Sequence, residues 1–122
     1  MSTDLERLGT SKYIALTTFR KDGTEVSTPV WLVREGEALL VTTQGSSGKA
    51  KRIRNNPRVT VAPCNSRGTV KGPAVPATAV LADSSEATRI TALVAKKYGL
   101  LGRLLTRRGD VADRVGIILT LG

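Results

Sequence analysis

The chain has 122 residues and a formal net charge of +9, with one cysteine, Cys64, and no histidine. An intrachain disulfide, the usual zinc ligand sets and the Ser/His or Cys/His dyads of nucleophilic hydrolases are thereby excluded, so any catalysis would lean on a bound cofactor. The length suits a single domain over residues 1–122, no run approaches the ~18 apolar residues of a membrane span, and the opening MSTDLERLGT lacks the apolar segment of a signal peptide, so a cytoplasmic protein is expected.

Residues 2–10 read as a short helix, with Leu5 and Leu8 three apart and Gly9 as its stop. Tyr13 to Arg20, YIALTTFR, is a strand, and Lys21-Asp22-Gly23-Thr24 carries the Asp-Gly signal of a tight hairpin. Glu25 to Arg34 is the returning strand. Its Pro29 cannot donate to a ladder, which implies an edge, a bulge or a place where the sheet opens. Glu35-Gly36-Glu37 is a second turn, and Ala38 to Thr43 is an apolar run short enough for a buried strand, so the three strands are expected to form a meander.

A basic helix follows over about Ser47 to Asn55, with Ala50 and Ile53 facing inward and Asn55-Asn56-Pro57 ending it. Its small apolar face predicts a poor core element. Arg58 to Cys64 alternates as a fourth strand, Asn65 to Pro73 is rich in turn residues, and Ala74 to Ala82 is a fifth strand that again holds a proline, Pro76. Strands interrupted by proline point to a barrel with corners, not to a flat sheet. Asp83 and Glu86 stand at capping-box spacing and open a helix through about Tyr98, with Ile90, Leu93 and Val94 on one face and Gly99 at its end. Leu100 to Gly109 is read as extending it by a second turn or two, and Arg114 to Leu121 closes the domain as a strand.

The stretch most suited to a ligand is Thr42 to Pro57, TTQGSSGKAKRIRNNP. A small, hydroxyl-rich loop there runs into a helix, which brings backbone N–H groups, the Ser46 and Ser47 hydroxyls and the Lys49 ammonium towards one point, where the helix dipole also favours an anion. It is not a P-loop: only two residues separate the glycines of GSSGK, and Ala50 stands where the magnesium-binding hydroxyl belongs. Between Glu37 and Asp83 there is no acidic residue, yet Lys49, Lys51, Arg52, Arg54, Arg58, Arg67 and Lys71 fall there. An anionic ligand accounts for this, as does a solvated basic face. A nucleic-acid-binding barrel fits the charge but not the aromatics, since Tyr13, Phe19, Trp31 and Tyr98 are too few for a stacking platform.

The phrases LTTFRKDGTEVSTPVW, SSGKAKRIRNNPRVTVAPC, RG with a later KGP, and KKYGLLGRL resemble the split β-barrel flavin- and deazaflavin-dependent reductases related to pyridoxamine 5′-phosphate oxidase. They span roughly Leu16 to Leu104, and the combination is most similar to the branch that uses coenzyme F420, a deazaflavin with a phosphate and a polyglutamyl tail. The resemblance implies a mainly β, α+β fold: a six-stranded, FMN-binding-like split barrel that forms a homodimer, with the cofactor in a groove between subunits. It places the phosphate at Ser47 and Lys49, with Gly48, Lys51, Arg52 and Arg54 beside them. The ring system then lies near Thr28, Pro29, Val30, Trp31, Thr42 and Thr43.

The activity implied is hydride transfer from reduced F420 to a small conjugated substrate. FMN is the alternative cofactor, and a non-catalytic cofactor carrier is the alternative role. A haem role like that of some relatives lacks its axial histidine. Tyr13, Tyr98 and Cys64 are proton-donor candidates by residue type alone, and solvent is the alternative donor. Trp31 suits a cofactor contact and an interface core alike. Cys64 reads better as a small buried hydrophobe than as a reactive thiol. Arg103, Arg107 and Arg108 read as solvated, with contact to a tail of carboxylates as the alternative.

Overall fold

The computed structural model describes residues 3–44, 47–106 and 114–121. In chain order the elements are α1 (Thr3–Gly9), β1 (Tyr13–Phe19), β2 (Glu25–Val30), β3 (Val33–Glu35), β4 (Ala38–Gln44), α2 (Gly48–Asn55), β5 (Arg58–Cys64), β6 (Val75–Ala82), α3 (Ser84–Thr106) and β7 (Arg114–Leu121). The strands form one antiparallel sheet in the order β2-β1-β5-β6-β7-β4-β3. Each of the six expected strand segments is present. The count rises to seven because Glu25–Arg34 is interrupted at Trp31 and Leu32, which belong to neither flanking strand.

That interruption shapes the molecule. β2 forms one edge of the sheet and β3 the other, yet only two residues separate them in the chain. The sheet must therefore curl until its edges approach each other at Trp31–Leu32, which gives a barrel-like wall with a covalent corner. The expected meander is corrected accordingly: β1–β2 and β3–β4 are hairpins, but they lie at opposite edges. Gly23 at φ 89° and Gly36 at φ 62° make the two hairpin turns in the left-handed backbone that glycine adopts without strain.

Alternate residues fill the interior. Ile14 and Leu16, Leu39 and Val41, Val59 and Val61, Ala77 and Ala79, Ile117 and Leu119 all point into one apolar cluster with Leu5, Leu8 and Leu32. Full burial of each larger side chain contributes roughly 1.5–3 kcal/mol. α2 belongs to the same core despite its charge: Ala50 and Ile53 are buried, and Ile53 joins the central cluster. It is a lid on the barrel interior, which corrects its expected poor standing as a core element. Two side chains suffice because α2 covers only one end.

α3 runs from Ser84 to Thr106 without stopping at Gly99. A glycine in mid-helix is unfavourable by roughly 1 kcal/mol, and here the helix continues through it. The Asp83 carboxylate caps the start, accepting from the Glu86 N–H at 3.0 Å, and its pKa is held low chiefly by that bond. Ile90 and Val94 pack with Leu40 on the outer face of the sheet in a second apolar cluster, joined by Trp31, Tyr98 and Ile118.

The prolines sit where ladders are incomplete. Pro29 is on edge strand β2, and Pro76 pairs with Thr60 of β5, one position beyond the last β6–β7 pair among the described residues, Ala77 with Leu121. Among the described residues no helix is long and apolar enough to cross a membrane.

Candidate functional site

The centre of the site is the start of α2. Gly45 and Ser46 lie outside the described residues, and Ser47 follows in extended conformation as the helix N-cap, its Oγ accepting from the Ala50 N–H at 3.1 Å. The same Oγ lies 3.2 Å from Thr43 Oγ1, so the end of β4 is tied to the helix start by two hydroxyls. The first turn holds no acidic residue. The positive end of the helix dipole, usually balanced by Asp or Glu, here carries Lys49 instead.

Arg52 completes the arrangement. Its Nε donates to Thr18 Oγ1 at 2.6 Å, and one guanidinium nitrogen lies back over the first turn, so that a Cβ at position 48 would come within 2.7 Å of it. Gly48 therefore leaves room for the guanidinium. Burial lowers the pKa of Lys49 below the usual lysine range, and the Arg52 charge pushes it the same way. Two cations thus converge on a helix N-terminus whose first turn holds no carboxylate. A bound phosphate would relieve all three, with each charge-assisted hydrogen bond worth roughly 1.5–3 kcal/mol.

Thr18 was not singled out in the sequence, although a signal was there. Ile14 and Leu16 face the core, and the next inward position on β1 is a hydroxyl, buried to 1% exposure. Thr18 pairs with Val26 of β2 and sits one inward step from Leu16, whose partner on β2 is Thr28. Through Arg52 and Thr18, the α2 site is joined to the edge strand expected to carry the ring system.

The other candidates divide. Thr28 and Val30 are half-buried and Val30 packs on the core, while Pro29 is exposed with the Gly68 turn close against it. Thr42 and Thr43 are half-buried and pair with Gly116 and Val115. Lys51 and Arg54 are on the exposed face of α2. Arg107, Arg108 and the side chain of Arg103 lie outside the described residues.

Trp31 at the barrel corner stacks on Tyr98 of α3, with centroids 4.5 Å apart and planes 9° from parallel, and Tyr13 lies tilted at 6.4 Å. One face of the indole is therefore occupied by its own chain. The Tyr98 hydroxyl donates to the Lys12 carbonyl at 2.6 Å and accepts from the Leu32 N–H at 3.2 Å. Burial raises its pKa. Lys97 donates to the carbonyls of Gly9, Ser11 and Leu32, which binds α3 to the end of α1 and to the β2–β3 corner. This hydrogen bonding places Tyr98 among the positioning groups. Cys64 is buried to 5% exposure, with its thiol pKa raised by that burial, as expected of a small hydrophobe.

Curled antiparallel sheet, outer helix and basic helix start together define a half-barrel β domain of a known kind. The family model for pyridoxamine 5′-phosphate oxidase matches residues 5–115, and the chain belongs to that family. Solved structures share the fold. An F420 reductase superposes with a TM-score of 0.73 at 23% identity, covering 100% of this chain and 96% of that one. A conserved hypothetical protein of Mycobacterium tuberculosis gives 0.74 at 20% identity, covering 99% and 81%. HutZ, the heme storage protein of Vibrio cholerae, gives 0.70 at 18% identity, covering 96% and 86%. No curated protein matches the chain by sequence.

Proposed function

We propose that this chain is an oxidoreductase that holds coenzyme F420 by its phosphate at the start of α2 and passes a hydride to a small conjugated organic substrate. The observation that carries the reading is the convergence of Lys49, Arg52 and the Ser47-capped helix N-terminus with no acid in the first turn. It is supported by membership of a family whose fold binds flavins or related cofactors, and by the full-length likeness to an F420 reductase.

When bound, the deazaflavin supplies the hydride chemistry, which requires no nucleophilic side chain and so suits a chain without histidine. The protein's part is placement. Lys49 and Arg52 anchor the phosphate, Ser47 and Thr43 hold the helix start in register with β4, and Thr18 fixes the guanidinium. Thr28, Pro29, Val30, Trp31 and Thr42 offer the adjoining wall for the ring system, with the indole face of Trp31 turned away from Tyr98 as its apolar part. A homodimer with the groove at its interface completes the proposal.

Fluorescence titration of the purified protein with F420 and, separately, with FMN tests it. Tighter binding of F420 is expected. Tighter binding of FMN would move the assignment to a flavin enzyme, and binding of neither would end the reading. Lys49→Ala is expected to weaken F420 binding at least tenfold, which corresponds to about 1.4 kcal/mol.

A further inference from the structure

At the opposite end of β1 from Thr18, a cleft of about 380 Å³ opens among Ser11, Lys12, Tyr13, Pro63, Cys64 and the loop residues Asn65, Ser66 and Lys71. Its size falls at the small end of small-molecule pockets, which run from roughly 300 to 1,000 Å³. The lining holds two lysines and no acid. Neither lysine takes part in an ion pair among the described residues.

Both lysines are exposed at their tips and fixed at their backbones. The Lys12 carbonyl is held by the Tyr98 hydroxyl, and the Lys71 N–H donates to the Pro63 carbonyl at 2.8 Å. The loop between is equally defined: Asn65 Oδ1 accepts from the N–H groups of Arg67 and Thr69, which leaves the amide NH₂ as the donor Asn65 can offer. Tyr13 gives the cleft an aromatic ring, which lies tilted against Trp31 at 6.4 Å. The Lys71 charge is felt at the Cys64 thiol, where it opposes the rise caused by burial. Thr18 lies five residue steps along the strand from Tyr13, about 17 Å at ~3.3 Å per residue, so this basic pair is distinct from the α2 cations.

We infer that the cleft is a subsite for a small planar organic carboxylate, with the acid group between Lys12 and Lys71 and the flat body against the Tyr13 ring. In the proposed function, on which this assignment of a substrate class rests, the carboxylate belongs to the hydride acceptor. Lys12 and Lys71 select for charge, and the Tyr13 ring selects for a conjugated, flat skeleton.

The test is binding of cinnamate and of its uncharged methyl ester to the full chain, followed by NMR titration, with F420 titrated in parallel. The acid is expected to bind at least tenfold tighter than the ester. That preference should vanish in Lys12→Ala/Lys71→Ala, whose exposed substitutions leave the core intact. It should survive in Lys21→Ala/Lys96→Ala, which removes the same charge elsewhere. Equal binding of acid and ester, a preference that survives loss of Lys12 and Lys71, or equal loss in the two double variants would each overturn the subsite. If the wild-type protein shows the preference yet binds no F420, the subsite stands and the F420 reading falls. If it binds F420 without the preference, the F420 reading stands and the subsite falls.

Discussion

Lys49 shows how one side chain records what its surroundings lack. Its ammonium is partly withdrawn from water beside Arg52, and both burial and the neighbouring charge lower its pKa below 10.5. In the free protein it therefore loses its proton earlier than an ordinary lysine on raising the pH. Folding stability gains as pH rises through that window, because the unfolded chain still binds the proton while the folded chain has released it. Anion binding runs the other way. A bound phosphate favours the ammonium, so cofactor affinity should fall as pH rises from the depressed pKa towards 10.5. Dissociation constants measured as pH is raised towards 10.5 should show this fall in the wild type and a flatter profile in Lys49→Gln, the difference isolating Lys49 from titration of the cofactor itself. Thr18→Val removes the acceptor of Arg52 Nε within an otherwise apolar layer. Urea unfolding is expected to register a loss of about 1–3 kcal/mol, and F420 binding should weaken severalfold as the guanidinium loses its anchor. Unchanged binding in this variant would show that Arg52 does not need Thr18 for its part in the site.

At the scale of elements, α2 and α3 carry different duties for reasons of packing. α2 has only Ala50 and Ile53 to bury, enough to seat it on the barrel end while its polar start faces the site. Ser47→Ala should destabilise it by about 0.5–2 kcal/mol through loss of the cap, visible in thermal unfolding, and should also weaken cofactor binding because Thr43 loses its partner. α3 locks the barrel corner. Tyr98 satisfies the Leu32 N–H, a backbone group left outside both ladders, while Lys97 satisfies the Leu32 carbonyl. Tyr98→Phe keeps the ring against Trp31 but abandons a backbone donor and the link to Lys12. A loss of about 1–3 kcal/mol is expected, with little change in Trp31 fluorescence if the stack persists.

For the whole molecule, charge and curvature set the behaviour. A net charge of +9 attracts polyanions without selecting among them. Binding to an oligonucleotide should therefore be weak and vanish steeply with salt, whereas F420 binding, anchored at a partly buried lysine, should persist at moderate ionic strength. Sedimentation should report the dimer that the proposed groove requires, at twice the chain mass of 13.0 kDa, and a monomer at working concentration would remove the intersubunit groove from the proposed function.

Much of this was legible along the chain because it depends on local order. The Asp-Gly turn, the inward Ala50 and Ile53, the Asp83 cap and the alternation of Ile14, Leu16, Val59 and Val61 follow from backbone propensity and side-chain period, which neighbours in sequence decide. The hydroxyl-rich run before Lys49 and the acid-free segment around it are likewise plain in the sequence, and they carry the proposed anion site. Tertiary structure alone decided the rest. That the strand containing Pro29 breaks at Trp31 and serves both sheet edges depends on curvature, a property of seven strands together. That Arg52 reaches Thr18, 34 residues away, and that Tyr98 and Lys97 close the corner at Leu32 depends on which faces meet once the sheet has curled. No local pattern encodes those meetings, because they are fixed by the burial of the whole core and not by the residues that happen to touch.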